Sequence, residues 1–218
     1  MELYVDTANI EDIRRCAELG FVSGVTTNPS LLAKEDPKMD VKKRLLEIHE
    51  LIGGHLSIEV ISTDKKGMLR EAEEIMSWCP DATIKIPMIA EGLAATYELA
   101  KKEIPTNVTL VFSPTQAIAA ANAGASYVSV FLGRLEDIAV PSAEVLNQIC
   151  DIWDIQQYDS LLIAASIRHP QHIIDSAEAG AHIATVPYKV LIQSLEHPLT
   201  TAGLDKFLAD NAKMMSGK

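Results

Sequence analysis

The chain has 218 residues, is 48% hydrophobic and carries a formal net charge of −11. That is enough to bury a sizeable core, as one large α/β domain or two small ones, and no apolar run reaches the roughly 18 residues that span a bilayer. The negative charge argues against nucleic acid and anionic membrane as partners, and it means that an anionic substrate needs a local cationic pocket.

In chain order, the start MELYVDTANIEDIRR enters strand character directly, without the regions of a signal peptide, so a cytoplasmic protein is expected. Strand-like runs then recur at 2–8, 24–30, 56–63, 82–88, 106–113, 127–134, 161–168 and 182–189, separated by stretches of helical period. Asn9, Asp64 and Ser142 stand where helix N-caps are wanted. Glycines close helices in AELG, LIGG, NAGA and EAGA. Eight strand–helix pairs predict a (β/α)8 TIM barrel, with a doubly wound open sheet as the alternative. No linker interrupts the pattern, so 1–218 is read as one domain. It closes on an amphipathic helix with Leu204, Phe207 and Leu208 on one side, which either lids the barrel or meets a neighbouring subunit. The three cysteines, Cys16, Cys79 and Cys150, are odd in number, far apart and set in helical sequence; they read as small buried residues rather than a disulfide framework or metal cluster.

Alternate residues of a barrel strand face the lumen and the surrounding helices. In LSIEVIS, apolar Leu56, Ile58 and Val60 belong under helices, which turns Glu59 inward. In ATIKIPM, Ile84, Ile86 and Met88 face the helices and Lys85 faces the lumen. The same alternation marks Asp6, Thr26, Asn28, Asn107, Thr109, Ser129, Ser166 and Arg168. Most lie toward the C-terminal ends of their strands, the face on which parallel barrels build active sites. A lone lysine in an apolar strand is otherwise an edge charge or a snorkelling side chain. Beside Glu59 and Asp6 it reads as functional, because buried charges are costly and seldom gathered without use.

Arg134 and Arg168 close strands on the same face, where a guanidinium fork suits a phosphate, although surface ion pairs are the ordinary use of such residues. No glycine-rich phosphate loop competes with them. His169-x-x-His172 has a spacing found in some metal sites, yet it lacks a nearby carboxylate or cysteine in the sequence and reads as the opening turn of a helix. Asn107-Val-Thr109 matches a glycosylation acceptor, which carries little weight without a secretory signal.

The segments LYVDTANI, GVTTNPSLL, EVIST, IKIPM followed by AEGLAA, NVTLVFSPTQA, YVSVFLGR and AASIR resemble the transaldolase family, in its short subfamily with the fructose-6-phosphate aldolases. The likeness runs in order over essentially the whole chain. It implies a Schiff-base lysine at Lys85, an acid/base at Asp6 for the C4 hydroxyl, and a proton relay of Glu59 with Thr109 and a water. It further implies that Asn28, Asn107 and Ser129 hold the dihydroxyacetone portion and that Arg134, Ser166 and Arg168 bind phosphate. No metal or organic cofactor is needed. An amine attacks a ketone only as the free base, a form that burial favours.

Within the family, transfer of the enamine to an aldose makes a transaldolase, and its protonation makes an aldolase. The aldolase relatives carry glutamine at the position of Glu59 and tyrosine at that of Phe131; the acid and the plain ring here imply transaldolase. The remaining alternatives are a fructose-6-phosphate aldolase and a non-catalytic sugar-phosphate-binding barrel. Ile89, Val130 and His169 depart from the family's usual threonine, proline and asparagine, which puts a helix cap at Ile89 in doubt. The short subfamily also implies a homo-oligomer, a pentamer or a decamer.

Overall fold

The computed structural model describes residues 1–36 and 38–217. Eight strands form a closed parallel barrel in sequence order: β1 (Glu2–Asp6), β2 (Gly24–Thr26), β3 (His55–Glu59), β4 (Thr83–Pro87), β5 (Thr106–Val111), β6 (Tyr127–Phe131), β7 (Leu161–Ala165) and β8 (Ile183–Val186), with β8 pairing back to β1. The helices are α1 (Ile10–Leu19), α2 (Pro29–Leu32), α3 (Val41–Ile52), α4 (Lys65–Trp78), α5 (Ala90–Ala100), α6 (Pro114–Asn122), α7 (Leu132–Glu136), α8 (Ser142–Gln156), α9 (Pro170–Ala179), α10 (Tyr188–Leu195) and α11 (Pro198–Met215). The barrel is therefore the (β/α)8 form, not the open sheet. Every predicted strand is present, though each is shorter than its apolar run, because the runs extend into the loops above the barrel.

Local chemistry explains the helix ends. Asn9 accepts the backbone N–H groups of Glu11 and Asp12, and Asp64 accepts that of Gly67, as the sequence predicts. Ser142 does not cap α8; Pro141 holds that position, and the Ser142 hydroxyl turns instead to Glu136 at 2.8 Å. Ile89 begins α5 with no side-chain cap, the expected consequence of lacking threonine there. Left-handed glycines, among them Gly20 and Gly180, end helices where expected.

The main core lies between the barrel wall and the helices. Leu56, Ile58, Val60, Ile84 and Ile86 are buried in it, as alternation requires, together with Cys16, Cys79 and Cys150, all unpaired. A smaller cluster of Tyr4, Ile163 and Ile183, flanked by Tyr127 and Leu161, packs at the N-terminal end of the strands. His55 stacks between Tyr4 and Tyr127, at ring distances of 4.9 and 4.6 Å. Gly24 leaves room for this layer, since a Cβ there would come within 2.8 Å of the Tyr4 ring. A packed floor beneath the polar upper lumen confines chemistry to the C-terminal face.

Two positions break the strand period. Leu110 has φ +62° and sits in a bulge between Val108 and Val111, which lets both valines join the outer core. Ser166, just past β7, has φ +57°. Both carry the chain out of regular alternation beside the polar face of the barrel.

Candidate active site

Lys85 and Glu59 are register partners on β4 and β3. Lys85 is 4% exposed, and its Nζ lies 3.1 Å from Glu59 Oε2. The same Nζ donates to the Thr27 carbonyl oxygen at 3.0 Å. Thr27 follows β2 and is fully buried, its own hydroxyl donating to the Ser57 carbonyl at 3.1 Å. Thr27 is not legible in the sequence as a site residue, because its contribution is a backbone oxygen and any residue type supplies one.

Asp6, at the end of β1, accepts the Thr26 hydroxyl at 2.7 Å. Thr26 Oγ1 is also 2.6 Å from Thr185 Oγ1; having one proton to give, it donates to Asp6 and accepts from Thr185. Burial, the largest influence, pushes the Asp6 carboxyl above its ordinary value, and the charge of Glu59 adds to this. Lys85, the Thr26 hydrogen bond and Lys34 pull the other way. A carboxyl raised in this way exchanges protons closer to neutral pH, which suits an acid/base group. Thr185 was legible in HIATVPYK by the same alternation, since Ala184 and Val186 face the outer core.

A second chain of hydrogen bonds crosses the lumen. Asn107 donates from Nδ2 to Ser57 Oγ at 3.0 Å and accepts from Ser129 at 2.7 Å, and Ser57 Oγ meets His55 Nε2 at 2.7 Å. Asn107, Ser129 and Ser57 are buried. Asn107 is thus a fixed amide inside the barrel rather than a glycosylation acceptor. Thr109, two residues along the same strand, is 1% exposed, and its hydroxyl has no hydrogen-bond partner among the described residues. Such a group costs roughly 1–3 kcal/mol unless something meets it. Asn28 accepts the Leu31 N–H at 2.9 Å as the cap of α2, which fixes its side chain at the mouth of the barrel.

The predicted phosphate residues sit higher than the sequence suggested. Neither Arg134 nor Arg168 closes a strand: Arg134 lies in α7 and Arg168 in the loop leading to α9. Simple alternation also fails for Ser166. Ile163 joins the cluster within the barrel while Leu162 and Ala164 face outward, so an extended Ser166 would point away, and its left-handed backbone redirects it. The Gly133 N–H donates to the Ser166 carbonyl at 3.0 Å. A Cβ on Gly133 would overlap that oxygen and come within 2.6 Å of Arg168 Cγ and Nε, so the glycine permits the close approach of α7 and the loop after β7. Arg134 stacks over Phe131 at 5.2 Å, with Phe112 edge-on beneath at 5.7 Å. Arg168 meets Asp137 at 2.7 Å, an exposed pair that a phosphate can displace at little cost.

His169 and His172 do have a carboxylate beside them, contrary to the sequence reading: Glu136 lies 3.8 and 2.8 Å from their Nε2 atoms. The three offer ligand atoms within 4.8 Å of one another. His172 lies in the opening turn of α9, as expected, and its imidazole is fully buried.

Fold and lumen together define a (β/α)8 barrel with a buried lysine, two carboxylates and a polar wall at the C-terminal ends of its strands. The sequence matches the family described as "Transaldolase/Fructose-6-phosphate aldolase" over residues 3–217. A protein of Geobacillus sp. (strain WCH70) named "Probable transaldolase" is 53% identical over 210 residues, which cover 96% of this chain and 98% of the relative. One of the same name from Alkaliphilus metalliredigens (strain QYMF) is 54% identical, covering 96% and 97%. The chain belongs to the transaldolase/fructose-6-phosphate aldolase family. Among solved structures, thiamine phosphate pyrophosphorylase from Pyrococcus furiosus superposes with a TM-score of 0.59 at 15% identity, covering 85% of each chain. A mandelate oxidase mutant superposes at 0.60 and 14%, covering 86% of this chain and 64% of the other. Likenesses at this identity speak for the barrel alone.

Proposed function

We propose that this family member is a transaldolase: it transfers a dihydroxyacetone unit from a ketose phosphate, sedoheptulose 7-phosphate or fructose 6-phosphate, to an aldose phosphate such as glyceraldehyde 3-phosphate or erythrose 4-phosphate. The observation that carries the reading is the buried Lys85 amine, 3.1 Å from Glu59, in a lumen shared with an Asp6 whose carboxyl is raised by burial. The family match and the names of the relatives support it.

In this reading the Lys85 amine adds to the C2 carbonyl. Protons pass through Glu59 and the unpartnered Thr109 hydroxyl with a water, water is expelled as the leaving group, and a protonated Schiff base results. Asp6 then takes the C4 hydroxyl proton, the C3–C4 bond breaks, and its electrons enter the iminium. An aldose phosphate leaves and a three-carbon enamine remains on Lys85. Attack of this enamine on the acceptor aldehyde, with Asp6 returning its proton, and hydrolysis of the new Schiff base complete the transfer. Asn28, Asn107 and Ser129 hold the three-carbon portion, and Arg134, Ser166 and Arg168 take the phosphate. No metal or organic cofactor enters any step. Phe131 has no hydroxyl with which to hold a water against the enamine, which favours transfer over protonation.

We take the compartment to be the cytoplasm, with sugar phosphates and copies of the same chain as partners and neither nucleic acid nor membrane among them. Helix α11 buries none of its residues and presents Leu199, Leu204, Phe207, Leu208, Met214 and Met215 to the outside, which supports an assembly of several subunits, a pentamer or a decamer.

The test supplies fructose 6-phosphate with and without erythrose 4-phosphate. Glyceraldehyde 3-phosphate is expected to accumulate only with the acceptor; rapid formation without it would assign the protein as an aldolase instead.

A further inference from the structure

Helix α7, which bears Arg134, and the loop bearing Ser166 and Arg168 are fastened to each other twice. One fastening is the Gly133 N–H on the Ser166 carbonyl. The other runs through His172, whose Nδ1 lies 3.2 Å from the backbone nitrogen of Arg168 and whose Nε2 lies 2.8 Å from Glu136 Oε1. A neutral imidazole has one proton. Nδ1 accepts the Arg168 N–H, so the proton is on Nε2 and is donated to Glu136. Glu136 is itself oriented by the Ser142 hydroxyl at 2.8 Å, which ties the device to the first residue of α8.

The composition of this cluster suggests a metal site, but its protonation opposes one. A neutral imidazole that binds a cation through Nε2 carries its proton on Nδ1, where the Arg168 N–H already points. What the geometry does serve is the backbone. Ser166 is held left-handed, a strained backbone conformation that persists only where the surroundings over-determine it. The two fastenings on either side of Ile167 supply that constraint.

We propose that Glu136 and His172 are positioning residues for a phosphomonoester site: by fixing the Arg168 backbone they hold Ser166 and the Arg168 guanidinium in the arrangement that binds the substrate's phosphate. This rests on the proposed assignment of Ser166 and Arg168 to phosphate.

The test compares wild type with His172→Leu, His172→Asn, Glu136→Ala and Arg168→Ala. The readouts are the dissociation constant for inorganic phosphate, followed by 31P NMR, and kcat and KM with fructose 6-phosphate and with unphosphorylated fructose as donor. His172→Leu is expected to weaken phosphate binding about tenfold, the loss of one hydrogen bond to a partly buried backbone N–H. It should raise KM for fructose 6-phosphate by the same factor, leaving kcat and the kinetics of fructose unchanged. His172→Asn, which offers an amide oxygen near the place of Nδ1, should recover most of the loss. Glu136→Ala, a change at a partly exposed residue, should show a smaller loss in the same direction and keeps the test open should His172→Leu not fold. Phosphate affinity unchanged in both Glu136→Ala and His172→Leu, or equal losses on the two donors, would overturn the positioning role while a loss in Arg168→Ala upheld the phosphate site. No phosphate binding by wild type would remove the site itself, and the inference with it. Tight one-to-one zinc binding abolished by His172→Asn would contradict the proton assignment.

Discussion

At the scale of single residues, Lys85 is held from two sides: the Thr27 carbonyl and the Glu59 carboxylate both face Nζ. Beneath it, His55 ends the hydrogen-bonded chain from Asn107 through Ser57. Burial pushes the His55 imidazole down to about 4, against a smaller upward pull from Glu2. The unfolded chain, near 6.5, therefore binds a proton that the folded protein refuses between about pH 6.5 and 4, so stability falls as pH drops through that window and is unaffected by this group above it. Between pH 7 and pH 5 this amounts to about 2 kcal/mol. Urea unfolding at the two pH values should show wild type losing about that much more than His55→Phe, which keeps a ring between Tyr4 and Tyr127; equal losses would contradict it. Alternation alone made Lys85, Glu59, Asn107 and Ser129 legible, because each stands between apolar or small residues of a regular strand. It could not reveal Thr27, which acts through its backbone, or the true orientation of Ser166, which depends on a dihedral angle that the sequence does not encode by itself.

At the scale of elements, the site depends on how closely helices and loops approach the strands. Helix α5 passes over β4 at Gly92, where a Cβ would overlap the Pro87 carbonyl and come within 3.1 Å of Ile86 Cγ2. Alanine is the better helix former by about 1 kcal/mol, but the clash with backbone costs about 1–3 kcal/mol and wins. Gly92→Ala should therefore lower the melting temperature and, by shifting the strand that holds Lys85, lower kcat; a higher melting temperature would show that α5 moves freely. The positions of the strands were readable because each apolar run is bounded by turn residues. Their ends were not, since Arg134 and Arg168 continue the same polar–apolar texture after the strand hydrogen bonds have stopped. The carboxylate beside His172 was hidden for a related reason: Glu136 is 36 residues away in sequence, and only the pairing of β6 with β7 brings them together.

At the scale of the whole molecule, a chain of charge −11 that is proposed to bind phosphorylated sugars must concentrate its cations locally, and Arg134 and Arg168 stand on the face that bears Lys85. The proposed assembly places α11 against a neighbour. Phe207→Glu combined with Leu208→Glu is then expected to reduce the mass measured by light scattering to that of one chain, with the barrel's circular dichroism unchanged; an unaltered mass would place the contact elsewhere. The central claim, however, is that Lys85 is the nucleophile. Borohydride reduction in the presence of fructose 6-phosphate, followed by peptide mass spectrometry, should attach the reduced sugar or its three-carbon fragment to the peptide containing Lys85 and abolish activity. Failure to label Lys85 would contradict the account.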